Sequence, residues 1–219
     1  MATKTPKTSR PTSSAPSGKR SQRWIWVGVA AVAVLAATAA MLFSGGDETT
    51  GDVLQSRPVT LSGAPLAPLP DSGADPAIGT AAPTLSGSDF SGTTVRVEPA
   101  NGPVMLVFLA HWCPHCNREV PELVALGSRS DLPEGLQIIG VTTAVAPERD
   151  NYPPSEWIES RGWAYPVIAD SEDNTAALAF GLSGFPYTVL IGTDGTVVDR
   201  WSGELGQEAM AARVSAAFG

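Results

Sequence analysis

A continuous apolar run, Pro103–Leu109 (PVMLVFL), leads straight into His111-Trp112-Cys113-Pro114-His115-Cys116, and a helix-spaced pattern follows at once. This junction constrains the fold more than any other stretch. The run is short, has no polar alternation and starts after Gly102, which fits a strand buried on both faces. Beyond the cysteines, Val120, Leu123, Val124 and Leu126 recur at helical spacing over Asn117–Leu126. A buried strand feeding a helix in this way opens a βαβ unit and places both cysteines at the start of the helix.

The pattern downstream continues in kind. Leu136–Val141 (LQIIGV) reads as a second buried strand, and Ser155–Arg161 as a helix with Ser155 as its cap. Tyr165–Ala169 reads as a short strand, and Asn174–Phe180 as a short helix ended by Gly181. Tyr187–Ile191 and Thr196–Trp201 flank Gly192-Thr193-Asp194-Gly195, a hairpin with a glycine-containing turn. Gln207–Phe218 is an amphipathic terminal helix, and Thr84–Leu85 with Val95–Val97 reads as an added hairpin upstream. The order predicts an α/β domain, a mixed sheet with helices on both faces.

The hexapeptide carries the chemistry. Two cysteines three residues apart across a helix start can close a small disulfide ring, and the strand–helix context makes the C-x-x-C spacing a strong signal for thiol–disulfide exchange. Pro114 suits the first helical position, where a missing N–H costs nothing. Free backbone N–H groups and the positive end of the helix dipole stabilise a thiolate at Cys113, the expected nucleophile. Cys116 lies one turn deeper and is the expected resolving thiol. His115, between them, is expected to lie over the helix N-terminus and donate to Cys113, favouring the reduced form. Trp112 reads as a packing and substrate-shelf residue, and His111 as a solvated loop residue. The alternative is a copper or zinc chaperone using His111, Cys113, His115 and Cys116. Those four stand close in sequence, whereas zinc ligand pairs normally come from separate elements. Haem attachment needs histidine directly after the second cysteine, and Asn117 stands there.

Charge divides the chain sharply. Residues 1–23 carry six positive charges and no acid, while all 22 acidic side chains and the other eight basic ones lie after residue 23. An acidic body of this kind argues against a nucleic-acid partner. Between the two parts, Trp24–Phe43 is a 20-residue run without a charge, long enough as a helix to cross a bilayer. Basic residues before it and Asp47, Glu48 and Asp52 after it predict a cytoplasmic N-terminus and an exported body. A cleaved signal peptide, with Ala37-Thr38-Ala39 as the cleavage site, is the alternative. The expected organisation is a disordered basic tail at 1–23, a transmembrane helix at 24–43, a Pro/Gly-rich linker at 44–76 and one domain at 77–219. Both readings place the domain outside the cytoplasm, where disulfide chemistry is permitted.

Residues 77–219 resemble the TlpA/ResA-like group of membrane-tethered thiol–disulfide oxidoreductases of the thioredoxin superfamily. The resemblance rests on Ile78-Gly79, Pro83 and Leu85, on Val107 through Cys116, and on Glu119, Pro121, Glu122 and Leu123. It continues through Tyr165-Pro166-Val167, Asp170, Phe180 through Pro186, Asp194-Gly195 and Gly203. The Pro-His dipeptide is similar to that of the oxidising DsbA proteins, whereas the TlpA/ResA group is largely reducing. What the resemblance implies is a thioredoxin fold with an N-terminal β-hairpin and a central insertion at about 143–163. Pro186 would be cis and face the cysteines, and the backbone at Phe185 would pair with an extended substrate segment. Glu119 would handle the proton of the buried thiol, because Val107 stands where many thioredoxins carry a buried aspartate. No cofactor is implied beyond the Cys113–Cys116 pair. The implied partners are exported cysteine-containing proteins and a membrane redox partner.

Overall fold

The computed structural model describes residues 53–219. The basic tail and the apolar run at 24–43 lie outside the described residues. Among those described, no helix is long and apolar enough to cross a membrane.

A five-stranded mixed sheet has the order β6-β5-β4-β7-β8. Its strands are β4 (Val104–Leu109), β5 (Gln137–Thr142), β6 (Val167–Ala169), β7 (Tyr187–Ile191) and β8 (Val197–Ser202). β5 runs parallel to β4 and to β6, and β7 runs antiparallel to β4 and to β8. Helices α1 (Pro114–Leu126), α2 (Pro154–Ser160), α3 (Thr175–Ala179) and α4 (Gln207–Phe218) complete the unit. The two long apolar runs become the two central strands, as strands covered on both faces must.

Alternate residues of β4 feed two cores, because side chains in a strand point to opposite faces. Met105, Val107 and Leu109 join Val120, Leu123 and Leu126 of α1, Trp157 and Ile158 of α2, and Met210 and Val214 of α4. Val104, Leu106 and Phe108 face the other way, against Ala176 and Ala177 of α3, Phe180, Leu85 and Leu66.

The predicted upstream hairpin forms as β2 (Thr84–Ser88) and β3 (Thr94–Arg96). It gains a third strand, β1 (Thr60–Ser62), from within the expected linker. Residues 53–76 are therefore a strap packed on the domain and not a free spacer. Leu66 is buried and donates its N–H to Ala179 O at 2.8 Å; Leu69 donates to Gly181 O at 3.1 Å. The fully buried guanidinium of Arg200 binds the Asp75 carboxylate and Ala67 O. Prolines at 58, 65, 68 and 70 do oppose regular structure, but a strap needs little. Leu54, Arg57, Leu66 and Leu69 donate their N–H groups to the body, and β1 pairs with β2 and not within the strap.

The expected cap Ser155 lies inside α2, whose N-cap is Pro153 with Pro154 at the first helical position. Proline needs no partner there, and the strap supplies Gln55 Oε1 to accept from Ser155 N at 3.0 Å. At α3 the buried Asp170 does the capping. Its Oδ1 accepts from Ser171 N and Ala176 N, and its Oδ2 from Ala177 N and Thr143 Oγ1.

Candidate active site

The cysteines sit where the fully buried β4 gives way to α1. Cys113 is the N-cap of α1 with extended backbone, and Pro114 is the first helical residue. The chain enters through a tight turn in which Cys113 N donates to Ala110 O at 3.0 Å. Cys113 is 5% exposed and Cys116 fully buried, and both thiols are free. Burial pushes the Cys116 thiol far up, and the neighbouring charges of Cys113 and Glu119 push it further. The two sulfurs therefore differ as an attacking and a protected thiol should. Cys113 stands at the N-terminal end of the helix, where unpaired backbone N–H groups face outward.

Opposite them, the Phe185–Pro186 peptide bond is cis. Phe185 O lies 3.9 Å from Cys113 Sγ. The Trp112 ring meets the Phe185 ring edge-on with centroids 5.8 Å apart, and its Nε1 donates to Ala144 O at 2.8 Å. Arg149 lies over the same indole, its guanidinium carbon 3.8 Å from the ring centroid. Trp112 and Phe185 thus stand together beside Cys113, with Pro186 next in the chain.

Glu119 is fully buried. One carboxylate oxygen accepts from Leu205 N at 2.6 Å, and the other has no partner among the described residues. Burial raises its pKa to about 7, and the charges of Glu204 and Glu122 add to the rise. A carboxyl group that exchanges its proton near neutrality beside a buried thiol is fitted to receive and return that thiol's proton. Val107 is buried in the same core as both cysteines and brings no carboxylate to it.

Two histidines depart from expectation. His111 is buried, not solvated. Its Nδ1–H donates to Asp150 O at 2.8 Å while Nε2 accepts from Ala146 N at 3.1 Å. Its carbonyl accepts from Asn151 Nδ2 at 3.0 Å, so both ends of the residue hold the loop that carries Arg149. Burial lowers its pKa and keeps the ring neutral. With both ring nitrogens committed to backbone, His111 is not disposed as a metal ligand. Among the described residues no group of three or more His, Cys, Asp or Glu is placed to hold a metal ion. His115 is exposed, and its Nδ1 meets Glu204 Oε2 at 3.0 Å and Arg118 Nη2 at 2.9 Å. That one nitrogen either donates to the carboxylate or accepts from the guanidinium, according to the tautomer, and Cys113 is not among its partners.

Sequence reasoning passed over Asn117. Its Nδ2 donates to Cys113 O and His111 O, and its Oδ1 accepts from Trp157 Nε1 and Arg161 Nη2, both at 2.8 Å. One side chain so fixes the motif loop to α2. Glu204 was also missed, because no local pattern marks a loop residue 86 positions from the arginine it binds.

Residues 78–200 match the AhpC/TSA family. The chain belongs to that family. It is 29% identical over 107 residues to the thiol:disulfide interchange protein DsbE of Haemophilus influenzae, covering 48% of this chain and 54% of that protein. To the thiol-disulfide oxidoreductase ResA of Geobacillus thermodenitrificans it is 29% identical over 136 residues, covering 60% and 73%. The chain thus spans about half the length of one curated relative and nearly three quarters of the other. A thioredoxin-family thiol:disulfide interchange protein of Chlorobium tepidum matches with a TM-score of 0.52 at 24% identity, over 68% of this chain and all of that one. The fold is thioredoxin-like, and the ResA relatives agree with the group that the sequence resembles.

Proposed function

We propose that the chain is a thiol–disulfide oxidoreductase that exchanges disulfides with exported proteins. One observation carries the reading: an N-cap thiol at a helix start, beside the carbonyl that precedes a cis proline, with its partner thiol buried a turn deeper. In the reducing direction, the Cys113 thiolate attacks one sulfur of a client disulfide, forming a mixed disulfide and releasing the other client sulfur as thiolate. Cys116 then passes its proton to Glu119 and attacks Cys113 Sγ. That step closes the Cys113–Cys116 disulfide and frees the second client sulfur. The oxidising direction is the same path reversed. Trp112 and Phe185 flank the sulfur, and the backbone at Phe185 offers an extended client segment a strand-like partner.

The two sulfurs complete the exchange without a cofactor, provided that a membrane redox partner returns the pair to its working state. Placement outside the cytoplasm, by an N-terminal membrane segment, is supported by the uncharged run at 24–43 and the charge asymmetry around it.

Cysteine trapping tests the roles. Cys116→Ser leaves the attacking thiol but removes resolution, so mixed disulfides with clients accumulate and disappear on reduction. Cys113→Ser traps none. Trapped species with Cys113→Ser and none with Cys116→Ser would reverse the assignment, and trapping with neither would remove the reading.

A further inference from the structure

The loop between β8 and α4 reaches back to the helix that carries the cysteines. Glu204, in that loop, takes Arg118 through Nε at 3.0 Å to both carboxylate oxygens and through Nη2 at 2.7 Å, and it meets His115 at 3.0 Å. His115 and Arg118 stand three residues apart, on one side of α1, in the turns that follow Cys113. Arg118 carries a permanent positive charge, and it is the one of the two that interacts with the Cys113 sulfur. Glu204 engages both.

We propose that Glu204 is a positioning residue for redox poise: by holding Arg118 it withdraws the guanidinium charge from Cys113 and keeps the disulfide less oxidising than Cys-Pro-His-Cys alone would make it. The inference rests on the oxidoreductase reading and deepens it. Reduction of the Cys113–Cys116 disulfide by glutathione consumes two glutathione thiols and yields one glutathione disulfide. The protein accepts two electrons and one proton, leaving a Cys113 thiolate and a Cys116 thiol, and the second proton goes to solvent. Only the reduced side of this equilibrium carries the new negative charge. Whatever stabilises that charge shifts the equilibrium towards reduced protein and makes the disulfide the stronger oxidant.

The charges give the sign. Arginine is charged at every working pH; the Glu204 hydrogen bonds push the Arg118 pKa further up, and a negative charge on Cys113 adds a smaller push. The arginine and the sulfur therefore feel each other, and the glutamate is the arginine's competing anion. Arg118 is more than half exposed and Glu204 less than one third exposed, so the effect is modest and sensitive to salt.

Equilibration of the full chain with glutathione redox buffers tests this through the equilibrium constant, read by alkylating the free thiols. With Glu204→Gln the constant moves towards reduced protein by about two- to fivefold, the range of exposed charge interactions. With Arg118→Gln it moves the opposite way, because the glutamate loses its counter-ion and faces the thiolate unneutralised. Added salt compresses both shifts. A merely structural bridge would move both variants in one direction, since each breaks the same contact. Shifts of the same sign, or a Glu204→Gln constant equal to that of the parent protein, overturn the proposal. A parent protein that never equilibrates with glutathione overturns the oxidoreductase reading as well.

Discussion

Glu119 sets a pH dependence that can be signed. Its carboxyl is buried, with a pKa of about 7 in the folded chain against an ordinary value of 4.5. Between these two values the folded state holds more protons than the unfolded one, so stability falls as pH rises through the window. Glu119→Gln removes that slope: urea midpoints of variant and parent, compared at pH 5 and pH 8, should favour the variant more at pH 8. The same group imposes a rate profile. Resolution by Cys116 should quicken as pH rises through about 7 in the parent, as Glu119 becomes the acceptor for the thiol proton. In Glu119→Gln it should be slow, without that inflection, when followed by release of a chromogenic mixed disulfide. His111 acts by support. With His111→Ala, Asp150 O and Ala146 N lose their partners, and the loop under Arg149 loosens. The expected result is a raised KM for a peptide disulfide at little change in the glutathione equilibrium constant, because no His111 contact reaches a sulfur.

At the scale of elements, the strap redraws the domain boundary. Composition places the boundary at residue 77, since proline and glycine dominate before it. Arg200 contradicts that placement from far along the chain: its guanidinium has no exposure, and its anion is Asp75. Removing one partner of a buried pair leaves an uncompensated charge and costs about 3–5 kcal/mol. Asp75→Ala should fall in that range by urea denaturation, and the Asp75→Ala, Arg200→Met double variant should regain most of it. A chain started at Ala77 should likewise melt well below one started at Val53, since it lacks β1, Leu66 and Asp75 together. The core strands and the terminal helix were legible because their signals are local. β4 and β5 are unbroken apolar runs, and α4 was placed over Gln207–Phe218, where it lies. β1 was not legible, because Thr60–Ser62 has only three residues and owes its existence to pairing with β2.

For the whole molecule, the proposed topology predicts that a reporter fused after Gly219 is active only on the outer side of the membrane, and cytoplasmic activity would overturn it. The cysteines, Pro114 and Trp112 could be placed from sequence because helix-start chemistry is written in neighbouring residues, whereas Pro186, far along the chain, was placed only through the family resemblance. The surroundings of His115 could not, since they depend on Glu204, which tertiary folding alone brings near. β4 has a last consequence. Its odd-numbered side chains serve the core that holds the cysteines, and its even-numbered ones serve the core that takes Leu66 of the strap. The central strand is therefore a partition between the cysteines on one face and the Leu66 end of the strap on the other. Energetic changes at separate, non-touching sites usually sum to within about 0.5 kcal/mol. Robustness and reducing strength should consequently be adjustable one at a time: substitutions at Leu66 or Asp75 shift melting while leaving the glutathione equilibrium alone, and Glu204 substitutions do the reverse.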